Sequence, residues 1–239
     1  MKKRKAHLKV IVVYMLVLSL TVLLALTGNK SITTISEQAP LKNRKTVVID
    51  AGHGGGDGGA SSSTGILESH LNLQIAQRLD DLLHLLGIKT VMIRNADTSI
   101  HTHGDSIAEK KVSDLKERVR IVNETEESIL VSIHQNHFSD SRYSGAQVFY
   151  APTVGSRELA ESIQTSLKSL NPTNNRGAKK ADGVYLMQHI NNTGVLVECG
   201  FLSNPKEEAL LQTPQYQQNI CCAIASCCSL FLREHDQPT

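Results

Sequence analysis

Apolar residues in this chain follow two different spacings, and the two alternate. Short β-branched or aromatic runs recur at Thr46–Ile49 (TVVI), Lys89–Arg94 (KTVMIR), Ser128–Ile133 (SILVSI) and Ala146–Tyr150 (AQVFY), with briefer ones at Val184–Met187 and Val195–Val197. Runs of this length, bounded by polar residues, predict strands, several of them buried on both faces. Between them the apolar positions fall three and four apart. Leu71, Ile75, Leu79, Leu82, Leu83 and Leu86 hold one face of a helix over Glu68–Leu86, and Gly87 closes it. Val112, Leu115, Val119 and Val122 are in phase over Val112–Glu126. Further helices are predicted from Arg157 to Leu170 and from Pro205 to Arg233, the last broken at Pro214. Residues 95–111 and the stretch NPTNNRGAKKADG read as polar loops. Strands alternating with helices predict an α/β fold, a single domain with a twisted mixed or parallel sheet and helices on both faces.

The N-terminal pattern is different. Lys2, Lys3, Arg4 and Lys5 precede an unbroken apolar stretch from Val10 to Thr27. At ~1.5 Å per residue that stretch reaches ~27 Å, close to the thickness of a bilayer core. A positive flank followed by an apolar run reads as a signal peptide or membrane anchor with its basic end cytoplasmic. The apolar stretch is long for a cleaved signal and no A-x-A site follows it, which favours an uncleaved anchor over residues 1–27. Residues 28–45 are polar and aperiodic and read as a tether. The domain at 46–235 is then expected to be extracytoplasmic, membrane-anchored or secreted.

Charge sharpens this division. The 239 residues carry a net charge of only +2. Residues 46–239 hold 16 basic against 22 acidic side chains, so the surplus of positive charge lies wholly in the N-terminal segments. An acidic domain argues against a nucleic-acid partner. Five cysteines in so long a chain do not make a disulfide framework. Cys221, Cys222, Cys227 and Cys228 fall in one apolar helical segment and read as small core residues. Cys221 and Cys228 share a helix face two turns apart, too far to bond to each other.

Candidate chemistry gathers where strands end. In open α/β sheets, sites form outside the carboxyl ends of the strands. His53 follows TVVIDAG, His134 ends SILVSI, Glu198 ends GVLV, and Glu68 opens the helix after the glycine-rich loop DAGHGGGDGGASSSTG. Two imidazoles and a carboxylate form a common catalytic zinc set, with one coordination position left for water. A further carboxylate nearby supplies the general base such a site requires. Spacing alone leaves other readings open: a loop histidine, a hydrogen-bonded core histidine, or a helix-terminal carboxylate favoured by the macrodipole. Glu198 is the hardest to read blandly, because a carboxylate closing an apolar strand is costly to bury unless paired or metal-facing.

TVVIDAGHGGGDGGA, ILES at 66–69, LVSIHQN and GVLVECGFLSNP, in that order, resemble the zinc-dependent N-acetylmuramoyl-L-alanine amidases of the amidase-3 type. The likeness runs from Thr46 to Leu232. SGAQVFY at 144–150 and GVYLMQ at 183–188 resemble the short, membrane-tethered germination-specific members that act on spore cortex. The resemblance implies His53, Glu68 and His134 as Zn2+ ligands and Glu198 as general base on zinc-bound water. It implies cleavage of the amide between N-acetylmuramic acid and L-alanine in peptidoglycan or spore cortex, ahead of muramic-δ-lactam formation. It places Asn136 where the family has an orienting Asn. It also extends to an activator protein, on which some members depend. Gly58 departs from the family, which often has Pro there.

Other residues carry weaker expectations. His137 lies one helical turn's spacing from His134, but the family pattern does not use it. His70, His84, His101, His103 and His189 read as solvent-facing or supporting residues. Cys199, beside Glu198, reads as a buried small residue and not a nucleophile. Arg176, Lys179 and Lys180 form a basic loop suited to stem-peptide carboxylates, or simply a solvated one. The alternative function is a catalytically silent, membrane-tethered peptidoglycan-binding protein, against which all four catalytic positions are filled. A phosphate cradle is excluded because the glycine loop lacks G-K-[ST].

Overall fold

The computed structural model describes residues 46–235. The expected anchor at 1–27 and tether at 28–45 lie outside the described residues. Within them, no helix is long and apolar enough to cross a membrane.

Six strands form one sheet: β1 (Thr46–Ala51), β2 (Thr90–Met92), β3 (Ser128–Asn136), β4 (Gln147–Tyr150), β5 (Lys179–Lys180) and β6 (Thr193–Phe201). Their order across the sheet is β2-β1-β3-β6-β4-β5. β2, β1, β3 and β6 run parallel, while β4 pairs antiparallel to β6 and carries β5 parallel to itself. The sheet is thus mixed, as its sequence predicts. Every residue of β1 is buried, and its first four, Thr46–Ile49, accordingly read as a run without polar alternation.

Helices cover both faces. They are α1 (Glu68–Leu85), α2 (Ile107–Glu124), α3 (Ser156–Leu170), α4 (Tyr185–His189), α5 (Pro205–Leu211) and α6 (Pro214–His235). Val47 and Ile49 of β1 pack with Leu71, Ile75 and Leu79 of α1, Ile163 of α3 and Ile224 of α6. Val48, between them, packs on the opposite face with Val122 of α2 and Leu186 and Met187 of α4. The alternation of one strand therefore divides the core in two. Cys199, Cys221, Cys227 and Cys228 are buried and free, and Cys222 is free and exposed. On α6, Cys221, Cys227 and Cys228 are core residues, as their apolar setting suggests, whereas Cys222, expected with them, faces solvent because it lies on the opposite side of the helix from the packed face of Ile220 and Ile224.

Three elements differ from expectation. α2 begins at Ile107, five residues before its first periodic apolar position, because Ser106 and Glu109 close a capping box. Val184–Met187, expected as a strand, instead gives the N-cap (Val184) and first three residues of α4, whose Tyr185 and His189 rings stack one turn apart. β5 is a pair of exposed lysines at the sheet edge, with no apolar signal to announce it.

Candidate functional site

The parallel strands β1, β3 and β6 end side by side, and their carboxyl ends carry the candidate residues. His134 on β3 pairs in register with Glu198 on β6. β1 ends at Ala51, and the chain turns sharply through Gly52 to His53, which adopts a positive φ of 60°. Such a backbone is costly for a residue with a Cβ and persists only where its surroundings impose it. Glu68, the first residue of α1, is 4% exposed and reaches the same point from the opposite side.

His53 Nε2 lies 3.3 Å from Glu68 Oε2, and His134 Nδ1 lies 2.9 Å from Glu68 Oε1. The two imidazoles meet edge to face with centroids 5.0 Å apart. One donor atom from each of the three residues falls within 4.8 Å of the others. Tetrahedral zinc with bonds of about 2.0–2.1 Å to N and O sets its ligand atoms about 3.3 Å apart. The spacing and donor set therefore suit a zinc-sized cation. Glycines keep this space clear. A Cβ on Gly52 would lie 2.2 Å from the His134 ring, and one on Gly59 would lie 2.6 Å from Glu68 Oε2.

The charges follow from the packing. Burial alone would raise the Glu68 carboxyl, but hydrogen bonds from His134 and His53 outweigh it and hold the group far below the usual carboxylate range. Burial alone would lower the His53 imidazole, but Glu68 and Asp57 outweigh it and raise it. Glu198 differs. Burial pushes its carboxyl up to about 7, against the pull of His134, and its buried Oε2 has no hydrogen-bond partner. A buried acceptor without a donor is costly in a finished structure and marks a place where substrate or solvent completes the site.

A supporting shell fixes these side chains. Asp57 Oδ2 accepts from His53 Nδ1 at 3.0 Å and pairs with Lys111 Nζ of α2 at 3.1 Å. A carboxylate on the far nitrogen sets a ligand histidine's tautomer and ring plane. Asn72, one turn after Glu68 on α1, donates to Glu68 Oε1 at 3.3 Å and to the Gly52 carbonyl at 3.1 Å. Gln135 holds Asn72 in turn, donating to its Oδ1 at 3.2 Å. The backbone N–H groups of Ala60 and Gln135 donate to the two Glu68 oxygens.

Two buried arginines hold the turn that presents His53. Arg94 donates to the carbonyls of Ala51, Gly52 and Ser69. Arg118 of α2 donates to the carbonyls of Ala51 and His53 and forms a buried pair with Asp50, a residue that also accepts from Ser132. None of these supporting residues was singled out from sequence. Asp57 at four residues from His53, and Asn72 at four from Glu68, are signals that sequence contains. Arg94 and Arg118 carry no such signal, since an arginine in a strand end or a helix reads as surface.

The remaining expectations sort cleanly. His137 is exposed and outside the three-residue group. Asn136 stands at the site edge, next to a register irregularity between β3 and β6. Cys199 is fully buried and its thiol is pushed well above its ordinary value by burial, so it has no thiolate to attack with. Arg176, Lys179 and Lys180 do not form one patch at the site. Arg176 is part-buried and reaches Gln147, the cross-strand partner of Glu198. The lysines pair with Phe149 and Tyr150 and run away from the catalytic edge.

Comparison with known proteins gives the family and the fold. The amidase-3 family, described as N-acetylmuramoyl-L-alanine amidase, matches residues 47–228. The germination-specific N-acetylmuramoyl-L-alanine amidase of Bacillus subtilis is 36% identical over 196 residues, covering 81% of this chain and 82% of that protein. The CwlD amidase of Clostridioides difficile, solved in complex with the GerS lipoprotein, is 38% identical with a TM-score of 0.76. That match covers 80% of this chain and 99% of the other. An N-acetylmuramoyl-L-alanine amidase of Clostridium difficile 630 is 32% identical with a TM-score of 0.71, covering 81% and 99%.

Proposed function

Because this chain belongs to the N-acetylmuramoyl-L-alanine amidases, we propose that it hydrolyses the lactyl amide of peptidoglycan with Glu198 as base and a zinc ion held by His53, Glu68 and His134. The single observation behind the assignment of Glu198 is its orphaned, buried Oε2, one cross-strand neighbour from His134. When bound, zinc would act as a Lewis acid on the substrate carbonyl and lower the pKa of water beside it. Glu198 takes the proton from the attacking water as its oxygen adds to the carbonyl carbon. The same carboxyl then returns the proton to the departing nitrogen, so the C–N bond breaks to give a lactyl carboxylate and an L-alanine amino terminus. A carboxyl raised toward neutrality is matched to both transfers. Asp57 and Asn72 hold His53 and Glu68 in their ligating orientations. Gly52 and Gly59 admit the approach of metal and substrate.

The biological setting is the spore cortex, where removal of the stem peptide precedes closure of a muramic-δ-lactam. The germination-specific relative supports that setting. The lipoprotein complex of the CwlD structure supports a partner protein that docks on this amidase and activates it. An extracytoplasmic enzyme tethered through its N-terminal apolar segment fits such a substrate and partner.

Glu198→Gln tests the mechanism. It leaves the three ligands intact, so zinc content stays at the wild-type level. Loss of a general base lowers turnover by about 10²–10⁴-fold. Mass spectrometry of digested cortex reads the new L-alanine amino termini. Near-normal turnover in this variant would remove Glu198 from its role.

A further inference from the structure

Resting on that reading of the site, we propose that Phe138 and Tyr143 form a ledge that binds a sugar ring of the glycan strand beside the scissile amide. Among the described phenylalanines and tyrosines these two are the most open, at 49% and 46% exposed. They meet edge to face with ring centroids 4.7 Å apart. Tyr143 leans on Phe201 at 6.3 Å, and the Arg176 guanidinium lies 4.8 Å over Phe201 and 5.9 Å from Tyr143. Open aromatic faces are costly in water, so a packed cluster of them on a polar surface marks a contact site.

The ledge sits at the catalytic edge. Phe138 follows His134 by four residues, and Phe201 follows Glu198 by three. Arg176 Nη1 donates to Gln147, the residue facing Glu198 across the sheet. The ledge is also fixed before any ligand arrives. Phe138 N donates to Ser203 Oγ at 3.1 Å, Asn204 Nδ2 donates to the Ser141 carbonyl at 2.9 Å, and the buried Glu207 carboxylate accepts from the backbone of both Gly145 and Phe201 at 2.8 Å.

The chemistry favours a sugar over the peptide stem. A pyranose has an apolar C–H face and a rim of hydroxyls, which matches aromatic faces flanked by Asp140, Arg142 and the Tyr143 hydroxyl. A stem peptide brings carboxylates, and both arginines at the ledge already have partners. Arg142 is paired with Asp140, and Arg176 already donates to the Ser144 carbonyl and to Gln147. The ligand is therefore an N-acetylated aminosugar next to the muramic acid whose amide is cut.

The test uses the full chain in detergent. A tetramer of N-acetylglucosamine is titrated by calorimetry into wild type, Phe138→Ala, Tyr143→Ala and Tyr143→Phe. Wild type binds, each Ala variant binds at least about tenfold more weakly, and Tyr143→Phe stays within about threefold. On glycan-linked substrate, kcat/KM of the Ala variants falls about tenfold further than it does on a single muramyl peptide. Absent binding by wild type, equal binding by the Ala variants, or equal losses on both substrates overturns the ledge. If wild type cleaves neither substrate, the amidase reading fails, while the tetramer titration still decides the ledge.

Discussion

Replacing Arg118 with Met tests how the His53 turn is held. Arg118 is 3% exposed and Asp50 is 1% exposed, so the substitution leaves a carboxylate buried with Ser132 as its remaining side-chain donor. Removing one partner from a buried pair costs about 3–5 kcal/mol. The turn suffers as well. The carbonyls of Ala51 and Gly52 keep donors from Arg94, and Gly52 also keeps Asn72. The His53 carbonyl, among the described residues, receives Arg118 alone. An acceptor left short of its donor adds about 1 kcal/mol at a partly buried position. The total, about 4–6 kcal/mol, is a large part of the roughly 5–15 kcal/mol of a native domain. Urea unfolding of the metal-free chain reads the stability, and competition with a zinc chelator reads metal affinity, which should weaken about 10–100-fold as His53 loses its mooring. Adding Asp50→Asn to Arg118→Met should recover part of the stability by removing the orphaned charge, but not the affinity. A single variant within about 1 kcal/mol of wild type, with unaltered affinity, would refute this account of the turn.

Other outcomes follow from the same geometry. His134→Ala should abolish bound zinc by elemental mass spectrometry, and undiminished zinc would count against that ligand. Gly52→Ala drives a methyl group into the His134 ring, a collision at 2.2 Å. It should cost about 1–3 kcal/mol of stability and lower zinc affinity, measured together by calorimetry. Asp50 gives the pH dependence. Burial alone would raise its carboxyl, but Arg118 together with His134 and Ser132 outweighs burial and the folded value lies below the unfolded one. Its contribution is present above about pH 4, the unfolded value, and is lost as pH falls through the lower folded value. Acid unfolding monitored by circular dichroism should therefore be shallower in Asp50→Asn.

Sequence brought the candidate site into view because each of its residues closes or follows an apolar strand or opens the helix after a glycine loop. His134 and Glu198 stand where SILVSI and GVLV stop, and parallel pairing lines up those ends. The capping box at Ser106 and Glu109 lies in the stretch 95–111 that reads as a polar loop, and it moves the start of α2 five residues into that loop. Val184–Met187 shows a real ambiguity, since four apolar residues fit a strand or one turn of buried helix equally well. Arg94 and Arg118 show a deeper one. Their work is done through backbone carbonyls, which every residue has, so no spacing of side chains reveals it.

Glu68 and His134 are 66 positions apart along the chain, and they meet only once β1, β3 and α1 are in place. Parallel pairing of distant segments is slow, because loop closure comes before any reward. No short peptide cut from this protein holds the donor set. A cation held as proposed would find its three ligands together only in a folded chain, unlike a zinc finger's, whose ligands lie within one short segment. On that reading, whatever governs the loading, in time or in place, would govern when this hydrolase becomes active.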